Sequence, residues 1–308
     1  MKMEKEKAFD RMIDYIDSHM TEPITLHELS AAAGFSPWYC SRIFREFTGK
    51  TPFEYIRAAR VSFAAMKLRN KDIKVIDVAF DFVFDTHEGF TRAFSKYFGI
   101  APKKYQNTTP PIKLFLPFHL KETYRNFLKG EFIMKETKKE NVDSSNPDTV
   151  FVQVIERPSR KLILKRGKKA AHYFEYCEEV GCDIWGILVS IKEALYEPVG
   201  LWLPQNMVKP GTSVYAQGVE VPTGYSGIIP DGFDCIDLKP CKMMIFQGPP
   251  YDDRDFEAAI SNLWSLMKRY DPELYGFQWA DNDAPRIQLE PQGYRGYIEG
   301  RPVRQIPG

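Results

Sequence analysis

Between Ile24 and Tyr105 the chain states one pattern twice, and this duplication constrains its fold more than any other feature. The first copy reads Leu29-Ser-Ala-Ala-Ala-Gly34-Phe35-Ser36-Pro37, then Arg42-Ile43-Phe44, then Thr48-Gly49-Lys50-Thr51-Pro52 and Tyr55. The second reads Val78-Ala-Phe-Asp-Phe-Val83-Phe84-Asp85-Thr86, then Arg92-Ala93-Phe94, then Phe98-Gly99-Ile100-Ala101-Pro102 and Tyr105. Leu29 and Val78 are 49 positions apart, as are Phe35 and Phe84; Phe44 and Phe94, Gly49 and Gly99, and Pro52 and Pro102 are 50 apart. One residue gained within an otherwise constant offset marks two copies of one supersecondary unit.

Each copy predicts a short helix (Leu26 to Ala33, Val75 to Phe82), a tight turn and a polar N-cap. Ser36 followed by Pro37 at the first helical position is a strong start signal, and Asp85-Thr86 takes the same place in the second copy. In the helices that follow, Ile43, Phe44 and Phe47, or Phe90, Phe94 and Tyr97, are spaced to bury one stripe. That leaves Trp38, Ser41, Arg42 and Arg45, or His87, Glu88, Thr91 and Arg92, on the outer face. A glycine closes each helix and a proline soon after prevents its continuation. Pro52 to Arg69 reads as one long connecting helix with Phe53, Ile56, Ala59, Phe63 and Met66 on its apolar face. The order is helix-turn-helix, connector, helix-turn-helix. One position breaks the repeat: Val83 stands where the first copy has Gly34, and valine suits a positive φ poorly, so the second turn should differ or be strained.

This stretch resembles the AraC/XylS family of transcription activators, and Gly89 to Tyr105 is similar to the family's signature. The resemblance implies an all-α double helix-turn-helix domain whose two recognition helices enter adjacent major grooves on one face of double-stranded DNA. Carried over by position, Trp38, Ser41 and Arg42 from the first helix, with Thr86, His87, Glu88, Thr91 and Arg92 at the second, would lie near base edges. Arg42 and Arg92 suit guanine, because a guanidinium matches the O6/N7 pair. Arg45, Lys50, Lys96, Lys103 and Lys104 suit phosphates. The plain alternative for such residues is a solvated helix face. Duplication, capping and spacing agree on a DNA reader instead.

At 308 residues the chain should form two or three compact units. Residues 1–140 hold 24 Lys+Arg against 18 Asp+Glu, a net of +6, whereas residues 141–308 hold 18 against 23, a net of −5. Positive charge thus sits with the DNA reader, as a phosphate-binding surface requires. Cys40, Cys177, Cys182, Cys235 and Cys241 form no CxxC pair and have no histidine cluster beside them. This scattered odd set, with no signal peptide and no apolar run of membrane-spanning length, predicts reduced thiols, no metal, no cofactor, no membrane and a cytoplasmic location.

Composition divides the chain into a reader over 1–107, a connector over 108–149 and a second domain over 150–308. Asn141 to Asp148 is rich in turn formers and reads as a flexible linker, while apolar Leu114 to Phe118 should pack on one of the domains. Beyond it, Val150 to Ile155, Lys161 to Lys165, Gly211 to Val221, Lys242 to Gln247, Arg286 to Glu290 and Gly296 to Glu299 read as strands. Ile184 to Tyr196 and Phe256 to Tyr270 read as helices, the second with Ile260, Leu263, Trp264 and Met267 on one face. Leu162 to Gly167 and Met243 to Gly248 echo each other as a strand ending in glycine before a loop and a helix, which suggests an α+β domain with pseudo-two-fold strand-helix modules around a cleft.

Tyr215 to Val221, Phe246 to Tyr251 and Tyr297 to Glu299 resemble the GyrI-like ligand-binding domain. That resemblance implies a small-molecule effector, cationic aromatic or amphipathic, held by aromatics and one carboxylate. Candidate lining residues are Tyr173, Trp185, Trp202, Tyr215, Trp279 and Tyr297, and candidate anions are Glu220, Glu290 and Glu299. Each aromatic also reads as ordinary core, Trp264 most plainly so, and each glutamate as an edge-strand carboxylate in water. Two other classes stay open: an interaction module, or a hydrolase with a pocket glutamate as general base. Against catalysis, the second half has only His172 and no Ser-His-Asp or metal-ligand spacing. The expectation is a regulator, not an enzyme, that activates transcription with RNA polymerase as a further partner.

Overall fold

Ala8, Phe9, Met12, Ile13 and Ile16 recur at helical spacing, and in the computed structural model, which describes residues 2–116, 150–181 and 183–307, they are the buried face of α1 (Lys2–Ser18). This helix precedes the repeat and is not part of it. It belongs to the first of two compact units, Met1–Arg125 and Asn126–Gly308. The first unit continues with α2 (Leu26–Ala33), α3 (Pro37–Thr48), α4 (Pro52–Lys67), α5 (Val75–Asp81), α6 (His87–Phe98) and α7 (Pro102–Thr108). Phe9 of α1 stacks on Phe47 of α3 at 4.7 Å, and Phe44 of α3 meets Tyr55 of α4 edge-on at 5.2 Å. The α1 helix therefore completes the core of the first helix-turn-helix.

The start signals act as expected. Ser36 Oγ accepts from the Tyr39 N–H at 3.4 Å, and Thr86 Oγ1 accepts from the Gly89 N–H at 3.0 Å. Reciprocal capping boxes, Thr25 with Glu28 and Thr51 with Glu54, open α2 and α4. In the turns, Gly34 adopts φ 75° and Val83 adopts φ 61°, so the valine does take the left-handed conformation.

Two helix faces differ from expectation. The buried face of α4 is Tyr55, Ile56, Ala58, Ala59, Val61, Ser62, Ala64 and Ala65, whereas Phe53, Phe63 and Met66 are exposed. This helix packs against α3, α5, α6 and α7, and close approach on several sides favours small residues. On α6 the stripe runs Phe90, Phe94, Phe98, with Tyr97 exposed. Of the connector, Leu114 and Phe115 are buried. Phe115 lies 4.9 Å edge-on from Tyr55, and its N–H donates to Ser62 Oγ at 2.8 Å. Phe118 and the linker at 141–148 lie outside the described residues.

The second unit is an antiparallel sheet with helices against it. Its strands are β1 (Phe151–Arg157), β2 (Arg160–Arg166), β3 (Val199–Trp202), β4 (Tyr215–Val221), β5 (Asp234–Leu238), β6 (Cys241–Gln247), β7 (Phe277–Trp279), β8 (Arg286–Gln288) and β9 (Ile298–Gln305). They pair in the order β1-β6-β9-β8-β3-β4-β2-β5, with β7 also on β9. The helices are α8 (Tyr173–Val180), α9 (Ile184–Val189) and α10 (Phe256–Arg269). Where one helix was expected to run from Ile184 to Tyr196, α9 ends at Val189; the chain then turns and enters β3, which with α8 and β5 was not foreseen.

Alternation along the strands sorts two faces. Ile163, Tyr215, Val219 and Val221 pack with α8 and α9, while Met244, Phe246, Tyr297 and Val303 pack with Leu263 and Met267 of α10. Leu162, Leu164, Leu201, Ala216, Met243, Ile245 and Ile287 point to the other face and form their own cluster. Among the described residues no helix is long and apolar enough to cross a membrane.

Candidate functional site

On α3, the inward stripe of Cys40, Ile43, Phe44 and Phe47 leaves Trp38 70% exposed, with Arg42 and Arg45 also exposed and Ser41 half-buried. The Arg42 guanidinium lies 5.4 Å from the Trp38 ring and 5.5 Å from the Tyr39 ring, so it rests on an aromatic shelf rather than sweeping freely. On α6, His87, Glu88, Arg92 and Lys96 are exposed on the matching face. Thr86 is committed to capping. Thr91 is half-buried, and its Oγ1 is shielded from solvent with no hydrogen-bond partner among the described residues. Lys50 is half-buried, and Lys103 and Lys104 are exposed.

In the second unit, one glutamate organises a site on the helix-covered side of the sheet. Glu299 of β9 is fully buried, and each carboxylate oxygen accepts two donors. Oε1 takes the Tyr297 hydroxyl at 2.7 Å and the Trp264 indole N–H; Oε2 takes Arg286 Nε at 2.8 Å and Arg286 Nη2. The Arg286 guanidinium in turn lies 4.7 Å from the Trp202 ring and 5.9 Å from the Trp264 ring. Those two indoles meet edge-on at 6.3 Å, so tryptophans from β3 and α10 close over one cation and one carboxylate.

Backbone geometry builds this cage. Trp202 and Arg286 are directly paired across β3 and β8, and Gly200 is paired with Gln288 two residues away. A side chain at Gly200 would collide with the Tyr215 hydroxyl and with Gln288; glycine is what lets the Tyr215 hydroxyl approach the β3 backbone. Trp202 is held by its indole N–H, which donates to the Ala171 carbonyl at 2.9 Å. Burial above all, then the negative charge of Glu299, pushes the Tyr297 phenol well up. Burial likewise raises Tyr215, so both phenols remain protonated. Two buried polar atoms on this side, Tyr215 Oη and Gln217 Oε1, have no hydrogen-bond partner among the described residues.

Of the nine ligand-site candidates, Trp202, Tyr215, Tyr297 and Glu299 come together. Glu220 does not join them: it lies on the opposite face of β4, ion-paired with Arg157 and, at 2.8 Å, with Arg160. Trp279 is covered by the Arg301 guanidinium at 4.0 Å, and Arg301 pairs with Asp281. Glu290 accepts from Gln292 at 3.3 Å. Tyr173 and Trp185 lie in α8 and α9; Tyr173 packs at the margin of the core beneath them and Trp185 is buried. The residues not anticipated are Trp264, read as plain core, and Arg286, Gln217 and Gln288. Two hollows of about 540 and 580 Å³ lie elsewhere, one beside Arg157 and Cys241 and one beside Gly34. Among the described residues no His/Cys/Asp/Glu group is arranged to hold a metal.

Residues 29–108 match a family described as a helix-turn-helix domain. The chain is 32% identical over 135 residues to the right origin-binding protein of Escherichia coli K12, a match covering 41% of this chain and 42% of that protein. It is 31% identical over 105 residues to the regulatory protein SoxS of Salmonella typhimurium LT2, covering 34% of this chain and 98% of SoxS. The chain thus spans less than half of the first relative and nearly all of the second. Among solved structures it is similar to the DNA-binding domain of AdpA in complex with a target DNA, at 25% identity and TM-score 0.32, covering 33% of this chain and 91% of that one.

Proposed function

Since this chain belongs to the AraC/XylS family of DNA-binding transcription regulators, we propose that it is a one-component activator whose second unit senses a small molecule. In this reading α3 and α6 enter adjacent major grooves. Arg42 and Arg92 read guanines, Trp38, Ser41, His87, Glu88 and Thr91 lie along the base edges, Thr86 holds the start of α6, and Arg45, Lys96, Lys50, Lys103 and Lys104 hold phosphates. The second unit is a sensor of GyrI-like, pseudo-two-fold construction. Its strand order supports this: β1 precedes β2 yet pairs with β6, while β5 precedes β6 yet pairs with β2. Each half then contributes a strand, helical structure and further strands, β3 and β4 in one and β7, β8 and β9 in the other, meeting where β3 pairs with β8.

The observation that carries the sensor reading is Glu299, wholly buried yet capped by a partly exposed indole, with Trp264 38% exposed. Ligand sites combine an aromatic, apolar lining with a few convergent polar groups, and this site has both. The effector is an aromatic or amphipathic molecule that bears a positive charge. The chain acts as a regulator and not as an enzyme, with RNA polymerase as the partner through which activation is delivered. The test is a gel-shift titration of the full chain on an operator selected from random DNA, with and without a cationic aromatic dye. The dye should shift operator affinity or transcription in vitro, and Glu299→Gln should abolish that shift. A full dye response in Glu299→Gln would overturn the sensor assignment.

A further inference from the structure

Resting on the sensor reading, we infer that Arg286 is a built-in occupant of the effector site: its guanidinium holds the place of a cationic effector and must leave Glu299 for one to bind. A buried carboxylate without a counter-charge is strongly unfavourable, so a site built around Glu299 needs a cation in the effector-free chain as well. Arg286 supplies one. It engages the carboxylate through Nε and Nη2 and lies between the Trp202 and Trp264 rings, which is the arrangement an aromatic cage offers a cationic ligand.

The pair is built to open. The chain holds a second buried glutamate, Glu220, and both of its arginine partners are sealed in, with side chains 10% and 3% exposed. The Arg286 side chain is 33% exposed, although the carboxylate it serves is completely buried. Its Nη1 makes no hydrogen bond among the described residues, so the guanidinium is held on one edge only. The remaining walls are fixed independently of Arg286: Trp202 by its bond to Ala171, Tyr297 by its bond to Glu299. When the guanidinium swings outward it gains water on the side already exposed, and an incoming cation finds the cage formed. The exchange lowers apparent effector affinity by the fraction of time that Arg286 is bound, and it rejects small cations that cannot also cover the two indoles.

The experiment uses the full chain and two xanthene dyes of opposite charge, cationic rhodamine 6G and anionic fluorescein, followed by fluorescence anisotropy. Arg286→Met should bind rhodamine 6G on the order of tenfold more tightly than the unmutated chain. Arg286→Met with Glu299→Gln, which removes both charges, should lose that gain. Equal or weaker rhodamine binding by Arg286→Met overturns the inference while leaving the sensor reading in place; binding of rhodamine by neither protein overturns both. Fluorescein bound more tightly than rhodamine by the unmutated chain, and lost in Arg286→Met, would show a fixed anion receptor and overturn displacement. Should Arg286→Met not fold, the unmutated chain decides the matter. The Arg286 Nε–H resonance, protected by its bond to Glu299, should lose protection from exchange at saturating rhodamine 6G, and retained protection overturns the inference.

Discussion

Val83 holds the second helix-turn-helix turn at φ 61°, where the first copy has Gly34 at φ 75°. A left-handed conformation costs a residue with a Cβ about 1–2 kcal/mol, more than the roughly 0.5–1 kcal/mol of extra backbone freedom that glycine loses on folding. Val83→Gly should therefore raise the thermal midpoint by a few degrees, and a lowered midpoint in calorimetry would show that the valine's packing outweighs its strain. On the outer face, Arg42→Ala and Arg92→Ala should each weaken specific DNA binding by about 1–3 kcal/mol and relax one base position. Unchanged operator affinity in both would remove them from the interface. The repeat made these outer residues legible, because offsets of 49 and 50 align one helix with the other. The cage was legible only in part. Tyr215 and Glu220 are five positions apart on one strand, so alternation alone places them on opposite faces, and that signal was available in the sequence. Arg286 and Trp264 were not findable in this way. Their meeting depends on the pairing of β8 with β3 and β9 and on how α10 lies across the sheet, contacts set by distant parts of the chain.

At the scale of elements, helix starts and the buried stripe of α3 were legible, whereas the face of α4 was not. Ser36, Thr51 and Thr86 act on neighbours within three residues, so local sequence carries the whole interaction. The buried face of α4 depends on four other helices, and no single periodic stripe describes it. The boxes also set a pH dependence. Glu54 is held below the usual carboxylate range first by the Thr51 N–H and then by the Thr51 hydroxyl; Glu28 is held low first by the Thr25 side chain. A carboxylate with a lowered folded pKa stabilises the fold above its unfolded value, roughly pH 4.3, and that contribution disappears as pH falls through the folded value. Glu54→Gln should lower the melting midpoint at neutral pH and flatten its decline in acid. A melting curve that falls as steeply below pH 4.5 in Glu54→Gln as in the unmutated chain would remove Glu54 from that role.

At the scale of the whole molecule, charge and packing answer different questions. The net of +6 over residues 1–140 and −5 over 141–308 assigns the polyanion-binding surface to the first unit without saying where that unit ends. Composition alone put the boundary at 107, one residue short of the end of α7, because Asn107-Thr-Thr-Pro-Pro111 looks like a terminator. Packing extends the reader's core further: Ile112, Leu114 and Phe115 are buried, and Phe115 reaches back to Tyr55 and Ser62 of the connecting helix. A fragment ending at 107 loses these contacts and leaves a hole beside Tyr55, whereas one ending at 116 keeps them. Truncating a buried phenylalanine alone typically costs about 3–5 kcal/mol, a large share of a small domain's stability. The fragment 1–116 should therefore melt cooperatively and bind the selected operator, while 1–107 should melt at a distinctly lower temperature. Within 1–116, Phe115→Ala should reproduce most of that loss, because the ring, rather than the added chain length, is what fills the space between Tyr55 and its neighbours. Equal midpoints for 1–107 and 1–116 would place the reader's boundary back at its last helix and make the Phe115 contact incidental to its stability.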